Sequence, residues 1–319
     1  MTDHYFVNAR MALQKGLCVL DFKKNDELLV PDYICESIIF PIYELKIKIV
    51  YYSLNDKLLP DWKNLNNLLS PKTKAILMVN FFGNVLDLEK YVDFSKKNLI
   101  YLIEDNAHGY GGKYKRRKLG SFGDIGISSP RKLMPINYGG ILHLNNLELI
   151  KKNEKILNIQ YNYKGYNRSK KLYNFKKFLP SGIKSMIRKI IFNRPRYENQ
   201  DTFRGVEYFP KYISSKDIIK IKTFDWEENR KLRNEKYKKF ENFCKKNNLK
   251  LLFDNFDQAL TPWCCGAYVD NQTEAVKFFD YGWRNNIKIF SWPTLPEELC
   301  NQNSKSLNRW KKLIFFSTD

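Results

Sequence analysis

The sequence predicts an α/β fold, with a mostly parallel sheet in a large N-terminal domain followed by a smaller α+β domain. Three observations carry this. Short apolar runs of strand length recur at Glu27 to Val30, Ile47 to Tyr52, Ala75 to Asn80 and Leu99 to Ile103, without the polar alternation of a half-exposed sheet. Helical segments alternate with them, the rhythm of a parallel sheet covered on both faces. Beyond residue 205 the order changes to a long charged helix, Asp225 to Asn247, then short strands around one further helix. We therefore expect a large domain over 1–205, containing a basic insert at 164–196, and a small C-terminal domain over 206–319.

The elements follow in order. Phe6 to Leu17 reads as a lead into a helix capped by Asn8, with Ala12, Leu13 and Leu17 on one face. The strand Glu27 to Val30 runs into the turn Pro31-Asp32-Tyr33-Ile34-Cys35, and a helix Glu36 to Tyr43 precedes the strand ending at Tyr52. Leu68-Leu69-Ser70-Pro71 ends the next helix, and the strand at Ala75 to Asn80 opens into Phe81-Phe82-Gly83-Asn84. Between Lys164 and Arg196 no acidic residue occurs, while Ile183, Met186, Ile187, Ile190 and Ile191 recur at helical spacing. Residues 181–192 then read either as a basic amphipathic helix on an anionic membrane or as a helix packed on protein or on a second subunit. The small domain holds strands at Leu249 to Phe253, Pro262 to Val269 and Ile287 to Phe290, with a helix from Asn271 to Trp283 and then Trp292-Pro293.

At 319 residues the chain can bury a large core. Its six cysteines are scattered, with no CxxC and no histidine at ligand spacing, which excludes a zinc site or a disulfide framework as the organising principle and suits a reducing cytoplasm. No apolar run has signal-peptide character or reaches the roughly 18 residues of a spanning helix. The net charge of +21 raises nucleic acid or an anionic surface as partners, yet no nucleic-acid motif accompanies it. Lys, Asn, Ile and Tyr are abundant throughout, so the charge reads mainly as solvated surface.

The chemistry concentrates between Tyr101 and Leu144. In an open α/β sheet ligands sit beyond the carboxyl ends of the strands, which makes Asp105 the expected contact, with Glu104 as its rival. His108 follows, then Gly109, Gly111 and Gly112, the basic loop Lys113 to Lys118, and Gly120-Ser121-Phe122-Gly123-Asp124. Lys132 stands after Ser128-Ser129-Pro130-Arg131, and Gly139-Gly140 opens a last strand, Ile141 to Leu144. A strand-end carboxylate with a lysine among hydroxyls suits pyridoxal phosphate, where lysine forms the Schiff base and an aspartate keeps the pyridine nitrogen protonated. Each needs the other. Alone, Lys132 is one of 55 Lys and Arg residues and reads as surface, while Asp105 reads as a cap or turn residue.

These residues resemble the DegT/StrS family of sugar aminotransferases, fold type I pyridoxal phosphate enzymes. Glu104-Asp105-Asn106-Ala107-His108 is similar to the family's Glu-Asp-x-Ala-Gln/His, Gly120 to Asp124 matches its Gly-Ser-Phe-Gly-Asp, and Lys132 keeps the family interval to Gly139-Gly140. The form Arg-Lys-x-x-Pro before Gly-Gly resembles a branch associated with polysaccharide biosynthesis. The likeness covers about residues 5–144 closely and 205–319 loosely. It implies that Lys132 carries the cofactor, that Asp105 faces the pyridine nitrogen, and that His108 packs at the ring or its phenolic oxygen. It also implies a phosphate contact at Asn8-Ala9-Arg10, a hydroxyl from Ser128 or Ser129, and a cofactor contact from Tyr33. The chain departs from the family in lacking a Gly beside Ala9, in Tyr138 where Glu is common, and in Cys35 where many relatives place a stacking ring. The implied activity is transfer of an amino group from glutamate to a nucleotide-linked keto sugar by a homodimer, without nucleic acid. Relatives that dehydrate deoxysugars carry His in place of the lysine, and Lys132 argues against that chemistry. A non-catalytic or membrane-associated member of the same fold, or a pyridoxal phosphate enzyme for a non-sugar carbonyl, are the alternatives.

Overall fold

The computed structural model describes residues 1–152, 193–200, 212–301 and 304–319. The segment 181–192, most of the 164–196 insert and the 205/206 boundary lie outside the described residues, as do Phe209, Pro210 and Lys211.

Among the described residues a seven-stranded sheet has the order β1-β9-β8-β5-β4-β2-β3. It is built from β1 (Thr2–Phe6), β2 (Glu27–Pro31), β3 (Lys48–Tyr52), β4 (Thr73–Val79), β5 (Tyr101–Asn106), β8 (Ile125–Ser128) and β9 (Gly140–Leu144). A two-residue hairpin, β6 (Lys113–Tyr114) with β7 (Arg117–Lys118), stands outside it. Strands β3, β2, β4, β5 and β8 run parallel; the apolar runs of β2, β4 and β8 are buried, the first two as the sequence predicts, whereas β3, at the sheet edge, is only partly buried and Leu99, ahead of β5, is exposed. The sheet reverses at β9 because the 129–139 connection is too short for a crossover helix, so the chain returns antiparallel. Strand β1, which the sequence reading did not anticipate, pairs with β9 at the edge, and its polar residues face outward there.

Helices α1 (Ala9–Val19), α2 (Glu36–Glu44), α3 (Trp62–Asn67), α4 (Leu88–Lys97) and α5 (Leu147–Lys152) accompany the large sheet. Helix α6 (Ser215–Thr223) leads to α7 (Trp226–Lys246), which is capped by Asp225 accepting from the Glu228 amide. A second sheet then follows in the order β10-β11-β13-β12. Its strands are β10 (Lys250–Leu251), β11 (Cys264–Tyr268), β12 (Ile289–Phe290) and β13 (Leu313–Ser317), with α8 (Gln272–Asn285) and α9 (Lys305–Lys312) between them. Strands β10 and β12 are shorter than the apolar pattern suggests; past β10 the Leu252 amide still donates to the Gly266 carbonyl at 2.9 Å, while Leu252 and Phe253 are buried in the shared core. The central strand β13, fully buried, was missed although Leu-Ile-Phe-Phe-Ser has strand composition.

The small sheet packs one face on α7 and α8 through Tyr237, Cys265, Phe279 and Ile314, and its other face shares a core with the large sheet. One apolar cluster joins Leu77, Phe81 and Phe82 of the large sheet's side to Leu252, Phe253 and Phe315 of the small one. Arg309 of α9 donates to the Leu54 carbonyl at 2.7 Å and lies 3.7 Å from the Asp32 carboxylate. Such contacts fix the small sheet over the carboxyl ends of β2, β4 and β5.

Candidate functional site

Helix α1 starts against that end of the sheet. Asn8, at φ −153° and ψ 167°, is plain extended backbone that any residue adopts, so no glycine is required at this position. Its Oδ1 accepts from the Met11 amide at 3.0 Å, and the first turn carries no acid. First-turn amides have no intrahelical acceptor and lie at the positive end of the dipole, which suits an anion. The glycine requirement falls on β9 instead. A Cβ on Gly140 would stand 2.1 Å from the Asn8 carbonyl carbon, so only glycine lets β9 pass the start of α1.

At the end of β5 the two carboxylates separate onto opposite faces of the strand. Glu104 accepts from the Gly120 amide at 2.6 Å, the Phe122 amide at 2.8 Å and the Asn80 side chain at 2.9 Å. It therefore ties down the Gly-Ser-Phe-Gly-Asp loop, whose Gly120 sits at φ +92° where a side chain would be strained. Asp124 of the same loop accepts from the Leu102 amide at 2.9 Å. Asp105 faces the cavity, and the Ala107 amide donates to it at 2.9 Å. Burial raises the Asp105 pKa, and the Lys132 ammonium opposes that rise.

His108 accepts at Nδ1 from the Phe82 amide at 3.2 Å, which leaves the ring proton on Nε2. Burial, with Lys132 adding to it, holds its pKa well below 6.5, so the imidazole is neutral. Its ring stacks on Trp263 with centroids 4.3 Å apart and planes 16° from parallel. Phe82 takes a left-handed φ of 58°, sparsely populated for a bulky residue. The conformation is held from both sides, because the Phe82 carbonyl accepts from the Trp263 amide at 2.9 Å while its amide holds His108.

Lys132 closes a one-turn helix, Pro130–Lys132, that brings it into the same cavity. Burial lowers its pKa to about 8, against the pull of Cys35 and Asp105, and Arg131 lowers it further. The cavity measures about 790 Å³. Asn8, Ala9, Arg10, Asp105, His108, Ser129 and Lys132, all singled out in the sequence, line it. Ser128 and Tyr33 do not. The serines alternate along the extended chain. Ser128 turns away, its Oγ 2.9 Å from His143 Nε2, whose Nδ1 lies 2.7 Å from Asp3. Tyr33 is fully buried, donates its hydroxyl to the Trp292 carbonyl, and lies beneath the Arg309 guanidinium at 5.3 Å. Its role in this structure is to fasten the small sheet to the large one.

Trp263, Trp292 and Thr294 line the cavity from the small sheet's side and were not anticipated as site residues. The signal the sequence offered was that these two, of its six tryptophans, adjoin a proline, Pro262 and Pro293, which by itself points to no site.

Residues 6–188 match the model of the DegT/DnrJ/EryC1/StrS aminotransferase family. A GDP-perosamine synthase from Escherichia coli O157:H7 is 30% identical over 145 residues, covering 44% of this chain and 40% of that protein. A UDP-4-amino-4,6-dideoxy-N-acetyl-beta-L-altrosamine transaminase from Campylobacter jejuni is 40% identical over 80 residues, covering 24% and 21%. The matched stretch thus spans less than half the length of these relatives. The solved structure of Helicobacter pylori PseC, an aminotransferase of pseudaminic acid biosynthesis, superposes with a TM-score of 0.70 at 14% identity, covering 99% of this chain and 81% of that one. A 3-amino-5-hydroxybenzoic acid synthase superposes with a TM-score of 0.71 at 14% identity, covering 99% and 80%. At such identities these neighbours establish the fold, which is that of PLP aminotransferases of fold type I. The family model spans more than half of the sequence, and the chain belongs to the DegT/DnrJ/EryC1/StrS aminotransferase family.

Proposed function

We propose that this chain is a pyridoxal phosphate-dependent aminotransferase that moves an amino group from glutamate to a nucleotide-linked keto sugar during surface-polysaccharide synthesis. The observation that carries the reading is the convergence of Lys132, Asp105 and His108 on one cavity at the start of α1.

The donor set fits the cofactor part by part. The amides of Ala9 and Arg10 and the Ser129 hydroxyl suit its phosphate, Asp105 its ring nitrogen, His108 its phenolic oxygen and Lys132 its aldehyde. Bound there, pyridoxal phosphate supplies an aldehyde for imine formation and a pyridinium ring that withdraws electrons from the substrate carbon. Asp105 holds a proton on the ring nitrogen, which keeps that ring electron-poor. His108 donates from Nε2 as a neutral ring and adds no charge to the site. Lys132 moves a proton at the carbon that bears the amino group, which requires a neutral amine. With a pKa of about 8, roughly one amine in ten is neutral at pH 7, against fewer than about one in a thousand for an ordinary lysine.

The sugar substrate and the glutamate donor follow from the relatives and the family likeness. A homodimer is part of the same reading, supported by Phe40 of α2, which lines the cavity while half-exposed. So is a reducing cytoplasm, supported by six cysteines scattered along the sequence with no CxxC pair. No described helix is long and apolar enough to cross a membrane. Lys132 in place of histidine favours transfer over dehydration.

The test is a panel of GDP- and UDP-linked 4-keto-6-deoxy sugars incubated with glutamate and pyridoxal phosphate, with amino-sugar and 2-oxoglutarate read together by mass spectrometry. Formation of both in equal amounts is expected, and their absence with every acceptor would overturn the sugar reading. In the same preparation Ser129→Ala should weaken pyridoxal phosphate binding about tenfold, the worth of one charge-assisted hydrogen bond. Ser128→Ala should leave that affinity unchanged, because Ser128 spends its hydroxyl on His143.

A further inference from the structure

We infer that Trp263 is a positioning residue that holds the free amine of Lys132 over its indole face, a role supplied by the small sheet and resting on the assignment of Lys132 as the reacting amine. The Lys132 Nζ lies 4.9 Å from the centroid of the Trp263 ring, within the range of a cation–π contact and with the best of the aromatic partners. The same indole stacks on His108 at 4.3 Å. One ring therefore sets the place of both the amine and the imidazole.

The indole is itself immobilised. Its amide donates to the Phe82 carbonyl at 2.9 Å, its carbonyl accepts from the Thr318 hydroxyl at 2.9 Å, and Trp292 stands edge-on at 6.3 Å. Lys132 also faces Cys35, Asp105, Arg131, Cys264 and His108. Of these Asp105 is the carboxylate, and it is needed at the ring nitrogen. A neutral aromatic face attracts the ammonium without introducing a second anion that would compete for it. The position of Cys35, where many relatives place a ring, makes the small sheet's indole the nearest aromatic surface for this amine.

The test is the pH dependence of Lys132 acylation by trace acetic anhydride in the full-length chain cleared of cofactor, read peptide by peptide in the mass spectrometer. Because the indole favours the charged amine, removing it should lower the pKa. Trp263→Met is expected to shift the Lys132 midpoint down by about half to one pH unit, while Trp263→Phe shifts it by no more than a few tenths. A midpoint in Trp263→Met indistinguishable from the wild type overturns the assignment. Independently of how the variants fold, the wild-type chain should show an indole absorbance change as Lys132 titrates, and Lys132→Met should lack it. An indole signal that persists in Lys132→Met overturns it equally. Acylation reads the amine whether or not the chain binds pyridoxal phosphate, so the two readings fail separately.

Discussion

Lys132→Met is expected to abolish amino transfer and, in the cofactor-free chain, to raise stability at neutral pH. The activity loss should reach at least about 10³-fold, since the variant loses both the covalent anchor and the proton carrier. Covalently held pyridoxal phosphate should give wild-type protein an absorbance at the edge of the visible that borohydride removes, with a matching mass increment on the Lys132 peptide; the variant should show neither. The stability gain follows from burial. The folded chain holds Lys132 at a pKa of about 8 against 10.5 for an ordinary lysine. Below pH 8 both states carry the proton and the cost of the buried charge is fully present, roughly 3 to 4 kcal/mol at about 1.4 kcal/mol per unit. As the pH rises from 8 to 10.5 the folded state has already released its proton, and the cost fades. Urea unfolding of both proteins should therefore differ most at pH 7 and converge towards pH 10. A gap independent of pH would sink this account of the lysine.

The second large effect separates two adjacent carboxylates. Asp105→Asn should retain bound pyridoxal phosphate yet lose about 10²–10³-fold in kcat, because an amide cannot hold the ring nitrogen protonated. Glu104→Gln should act through the fold. Its carboxylate accepts from two loop amides and from Asn80, so replacing it leaves buried donors poorly matched and should cost about 2–4 kcal/mol of stability. Activity per folded molecule should stay within a few-fold of the wild type. Loss of turnover in Glu104→Gln with unchanged stability would mean that the roles of the two residues are reversed.

The large sheet and the reacting face of the site were legible because each rests on local pattern. The apolar runs ending at Val79 and Ile103 report burial in a covered sheet, and a carboxylate followed by glycines reports a strand end. Asn8 was readable as a cap from its residue type and place. What escaped depends on tertiary placement. Which of Ser128 and Ser129 faces the cavity depends on the register of β8 against β5 and β9. Tyr33 stood in a turn that resembled a cofactor contact, but Arg309 and the Trp292 carbonyl, both distant in sequence, claim its ring and hydroxyl. Trp263 and Trp292 enter from the small sheet's side, which reaches the cavity only through long-range contacts such as Phe315 on Phe82 and the Trp263 amide on the Phe82 carbonyl. Strand β1 has too polar a composition to announce itself, and it forms because β9 leaves an open edge beside it.

The cluster running from Leu77 through Phe82 to Phe315 has a consequence for how the molecule comes apart. Because that cluster draws side chains from both sheets, heat or urea should dissolve both in one cooperative step, and a fragment cut between them would expose the large sheet's share of it, although the small sheet keeps a cluster of its own around Cys265, Phe279 and Ile314. The reacting lysine belongs to one half and the indole above it to the other. Parting the two halves therefore takes the chemistry apart in the same step that melts the chain.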